Sequence, residues 1–122
     1  MSHKIRVLDS GVVEIVHSGD MTIVEATASR EEAAAIMKER GLSLVLADVS
    51  HTRHSESTME LHSFNASHYD VFPNNTMLAV VIPPDPTQAG SARFAESVAL
   101  NRGISMRIFL EYPDALSWLI ER

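Results

Sequence analysis

Four of the six histidines fall in the middle of the chain, at His51, His54, His62 and His68, with Asp48 and Glu56 close by in sequence. Neutral imidazole and carboxylate are suitable ligands for zinc and other transition metals. The spacing argues against such a site. His51 and His54 precede the helix signal at Ser57, and His62 and His68 are six residues apart, so on a helix they face different ways. No recognised zinc spacing is present, and the expectation is no metal and no cofactor. The histidines read as solvated or capping groups that make the surface sensitive to pH near neutrality.

Nucleophilic chemistry has little support. The chain has no cysteine, which excludes disulfides, a thiol nucleophile and cysteine-ligated metals. There is no Gly-x-Ser-x-Gly elbow, and Ser50-His51 and His54-Ser55 are only sequence neighbours, which gives no triad geometry. A hydrolytic or metal-dependent enzyme using Asp48, His51 and His54 is the weakest reading. Gly11, Gly19, Gly41, Gly90 and Gly103 are too dispersed for a phosphate-binding loop. Ser57-Thr58-Met59-Glu60 fits a capping box, so the Ser57 hydroxyl serves first as a helix N-cap. A phosphate at Ser57 would meet the positive end of that helix, with Glu56 opposing it.

The whole chain sets further bounds. Its 122 residues and 13.4 kDa suit a single domain, 1–122, and 45% apolar residues suit a folded one. Ten Lys and Arg against sixteen Asp and Glu leave a net charge of −6. The cations are scattered, so neither nucleic acid nor an anionic membrane is an expected partner. No apolar run approaches the length of a membrane span, no signal-peptide core is seen, and a cytoplasmic location is expected.

These residues need elements to position them. Ile5–Leu8 and Val12–His17 are β-prone runs split by Asp9-Ser10-Gly11, which predicts a hairpin, with a second break at Ser18-Gly19-Asp20. Thr22 to Arg40 is the longest helical stretch, opening at either Thr22 or Ser29, both of which fit a capping box. Its apolar positions 23, 26, 33, 36 and 37 lie near one face, and Gly41 fits the residue just past its end. Leu44–Ala47, Met77–Ile82 and Ile104–Leu110 read as strands of a parallel core. Val49–Glu56 reads as a polar loop. Helices are expected over Ser57–Tyr69, Ala92–Arg102 and Asp114–Ile120, the last anchored to the sheet by Trp118. Phe64, Tyr69 and Phe72, with Met59 and Leu61, either pack on the sheet or form an apolar surface. Strands alternating with helices predict an α/β domain: an N-terminal β-hairpin, then a mainly parallel sheet with helices packed on it. In such a sheet ligands sit outside the strand carboxyl ends, here 48–51, 82–85 and 109–112.

This order of elements resembles the STAS domain, found in sulphate-transporter tails and anti-sigma-factor antagonists, and more closely its SpoIIAA-like (CRAL-TRIO-like) group of small bacterial proteins. Leu44-Val45-Leu46-Ala47-Asp48, Ala92-Arg93-Phe94-Ala95-Glu96, Asn101-Arg102-Gly103 and Asp114–Leu119 carry the resemblance, which spans nearly the whole chain. The antagonists switch by phosphorylation in an Asp-Ser-Ser-Gly motif after the central strand. The matching positions here are Glu56-Ser57-Thr58-Met59, which keep the acid and the hydroxyls and replace the glycine by Met59. The resemblance implies a non-catalytic regulatory module whose recognition surface comprises Asp48, Ser50, His51, His54, Glu56, Ser57 and Thr58, and a protein partner. A carrier of a small apolar ligand is the alternative it implies, and a homodimer fits either.

Overall fold

A computed structural model describes residues 2–54, 71–73, 75–82 and 104–121. They form an α/β domain in the order β1 (Ser2–Val7), β2 (Val12–Met21), α1 (Ile23–Arg40), β3 (Leu44–His54), β4 (Met77–Val81), β5 (Ser105–Phe109) and α2 (Tyr112–Ile120). The described strands make one sheet in sequence order, β1-β2-β3-β4-β5. The β1–β2 pair is antiparallel and every other pair parallel. The expected hairpin, the three parallel core strands and the first and last helices are therefore present. The helices expected over Ser57–Tyr69 and Ala92–Arg102 lie outside the described residues. No described helix is long and apolar enough to cross a membrane.

The first helix starts at the earlier of its two capping signals. Thr22 is extended, and its hydroxyl accepts a hydrogen bond from the Glu25 amide at 3.2 Å, satisfying one of the four donors a helix start leaves free. Gly41 ends it at φ 67, a left-handed conformation costly for any residue with a Cβ. The last helix begins two residues before the expected Asp114, because Pro113 in its first turn needs no amide partner.

The two helices cover opposite sides of the sheet. Ala33, Ala34 and Met37 of α1 pack with Val13, Ile15, Val45, Leu78 and Met106. Small alanines let the helix lie close to the strands, and Met37 fills the space left between them. Phe72 is buried in this core, which decides its role as packing. Ala115 and Leu119 of α2 pack with Val12, Leu46, Ala79 and Val81. Trp118 flanks that core, with its ring 5.9 Å from the Phe109 ring and the Arg107 guanidinium 5.8 Å from both, a cation over aromatic faces.

Two expectations are overturned. The expected loop at Val49–Glu56 is strand as far as His54, and the expected break at Ser18–Asp20 is strand as far as Met21. Each segment completes the other: Ser18 pairs with His51, Gly19 with Thr52, Asp20 with Arg53 and Met21 with His54. Backbone pairing overrides polar composition here. Gly19 contributes by taking φ 82 inside β2, a conformation a larger residue would resist.

Candidate functional site

The β2–β3 ribbon outruns the rest of the sheet. β3 pairs with β4 only from Leu44 to Asp48, against Met77 to Val81. Beyond Asp48 it pairs with β2 alone among the described strands. The register steps from Val16↔Asp48 to Ser18↔His51, so β3 spends three residues where β2 spends two. This is a β-bulge on β3, at the carboxyl end of the parallel strands, where such kinks re-aim side chains.

Local side-chain hydrogen bonds build the kink. One Asp48 carboxylate oxygen accepts from the Ser50 amide at 3.0 Å and from the Ser50 hydroxyl at 2.6 Å, the turn-forming pattern of a short acidic side chain. The Thr52 hydroxyl donates to the Val49 carbonyl at 2.6 Å. Val49 is buried with Ala26 and Ile82, and Thr52 is buried too, while His51 is exposed. Asp48, Ser50 and His51 thus come together on one kinked segment. His54 ends the same strand opposite Met21. Glu56, Ser57 and Thr58 lie outside the described residues, so the capping or phosphoacceptor role of Ser57 does too. Among the described residues no three metal-ligating side chains converge.

Two polar clusters of β2 carry no sequence motif. On the α1 side, His17 is 3% exposed, and its Nε2 lies 2.8 Å from the hydroxyl of Ser29, itself 2% exposed. The Ser29 hydroxyl donates to the Ala26 carbonyl at 3.0 Å, so it accepts from His17 Nε2–H. His17 Nδ1 is buried with no partner among the described residues, as is one Glu25 carboxylate oxygen. The His3 ring lies 5.5 Å from that of His17, and His3 Nε2 is 3.4 Å from Glu32. Burial holds His17 below the usual imidazole value and His3 pushes the same way, while Glu25 pulls it back.

On the α2 side, the Glu14 side chain is 3% exposed and accepts from Arg6 Nε at 2.6 Å. It also accepts a very short hydrogen bond from the Tyr112 hydroxyl. Burial raises the Tyr112 phenol, and its bond to Glu14 adds to the rise. Alternation is the signal that finds both clusters: Val13, Ile15 and His17 share one side of β2, Val12 and Glu14 the other. No protein-family model matches the chain, and no curated protein resembles it closely enough to count as a match.

Proposed function

We propose that the domain is a STAS-like regulatory module that works by docking a protein partner and not by catalysis, with the β2–β3 ribbon as its recognition surface. The observation that carries this reading is the length of β3. Its stretch from Val49 to His54 is held in strand form by β2 on one side, while its other side pairs with no described strand. A strand held extended, with one edge that no described strand pairs, can accept an extended segment from another chain. The Asp48–Ser50 turn fixes the angle at which that edge leaves the sheet, and exposed His51 adds a side chain for specificity.

The occupant on this reading is an extended polypeptide segment of a partner, with a second copy of the chain as the homodimeric variant of the same contact. Ser57 follows the ribbon by three residues in sequence, and a phosphate there would add negative charge that close to it along the chain. Asp48→Ala tests the reading, because it unties the turn and leaves both apolar cores intact. Native mass spectrometry of protein purified from its own host should show a second polypeptide on the wild type and its loss from Asp48→Ala. A bare chain in both samples, or a lipid-sized adduct in both, overturns the reading.

A further inference from the structure

His17 sits where a strand of this sheet would ordinarily place an apolar residue. Val13 and Ile15 precede it on the same side of β2 and are fully packed under α1. A third aliphatic residue there would leave nothing unsatisfied. Histidine instead brings in two ring nitrogens, and the described residues satisfy only one of them. Nε2 is committed to Ser29, whose hydroxyl is itself committed to Ala26. Nδ1 is buried and unpartnered among the described residues. Among the described residues the ring is therefore met in its neutral form, with its proton on Nε2.

We propose that His17 is a protonation-sensitive latch that ties α1 to the β1–β2 ribbon when neutral and releases it when Nδ1 takes a proton. Among the described residues nothing accepts from the Nδ1 position, so an imidazolium there carries a donor they do not meet and a charge in a buried setting. The electrostatic surroundings come from both elements packed on the ring. From β1, the His3 ring opposes a charge on His17. From α1, Glu25 favours that charge, but its effect ranks behind both burial and His3. Glu32 lies 3.4 Å from His3 Nε2. Protonation of His17 thus works against the contact between α1 and the ribbon.

The direction with pH follows. The folded state binds the His17 proton less well than the unfolded chain, whose imidazole titrates near 6.5. The latch is at full strength above that value, and its contribution is lost as pH falls from 6.5 toward the folded-state value. What loosens is β1, the terminal strand of the sheet, and the turn of α1 around Ser29. This proposal does not rest on the docking surface: it is argued from the face of β2 turned to α1.

Nuclear magnetic resonance on the full chain tests it with two readouts. The His17 ring resonance is expected to titrate with a midpoint below 6.5, and His3→Gln is expected to raise that midpoint. Amide hydrogen exchange of residues 3–7 and of Ser29, corrected for the intrinsic pH dependence of exchange, should lose protection between pH 7.5 and 5. His17→Gln keeps an N–H donor for Ser29 and removes the titration, so its protection should be unchanged over that range. A wild-type midpoint at or above 6.5, or a midpoint unmoved by His3→Gln, overturns the proposal. The same acid loosening in His17→Gln overturns it as well, and if that variant fails to fold the two midpoints still decide.

Discussion

β2 buries one polar side chain on each side of the sheet, and the two are treated differently. Glu14, facing α2, is met by Arg6 from β1 and by Tyr112 from α2. His17, facing α1, is hydrogen-bonded among the described residues by Ser29 alone, which leaves one buried nitrogen without a partner there. A buried carboxylate with charge-assisted bonds from two elements is a fastening, because losing either partner leaves a charge in a poor medium. A buried imidazole with half its capacity satisfied is a conditional contact, because one proton changes its sign. The same strand thus meets the last helix through a fully bonded carboxylate and the first through an imidazole whose bonding, among the described residues, depends on its protonation.

The largest effect that sharpens this contrast is apolar. Leu119→Ala empties the centre of the α2 core and should cost about 2–5 kcal/mol, read from urea unfolding midpoints. If the polar bond of Tyr112 held α2 by itself, this loss would be small. Tyr112→Phe removes one donor to buried Glu14 and should cost about 1–3 kcal/mol in the same assay. A cost near zero would mean that Arg6 alone satisfies the carboxylate. Thr22→Ala deletes the cap of α1 and should cost about 1 kcal/mol. Its hydrogen-exchange changes should be confined to the α1 side, with α2 protected as before.

Neither of the buried groups is motif-bearing, and this separates what the sequence makes legible from what it does not. Capping chemistry at Thr22 and Gly41 is local, so the first helix can be read from a few residues. The aliphatic runs around Val45, Leu78 and Met106 signal buried parallel strands without reference to anything distant. Val49–His54 fails that test, because its strand character comes from pairing with Ser18–Met21 some thirty residues earlier. Asp48, Ser50 and His51 lie together because they are neighbours in sequence, but the kink they sit on needs the register of both strands. His17 and Ser29 become partners only when α1 folds back over β2, and no spacing rule for helices or strands brings them together.

The smallest predicted effects lie at opposite ends of the pH scale. Burial and the Glu14 bond raise Tyr112 above its usual value of 10, so its contribution is complete below pH 10 and is lost as pH rises beyond it. His17 behaves in reverse, losing its contribution as pH falls below 6.5. Stability of the wild type should therefore decline at both ends. Tyr112→Phe should remove part of the alkaline decline and leave the acid one unchanged. An acid decline abolished by Tyr112→Phe would show that the two sides are one coupled network.

The functional account stands on the edge of β3 that no described strand pairs. Its most direct test is amide hydrogen exchange of the chain in its natively purified assembly against the chain alone. The account predicts that protection is gained at residues 49–54 and 18–21, with β1 and α2 unchanged. Protection gained on β1 or α2, with the ribbon unaffected, would contradict it.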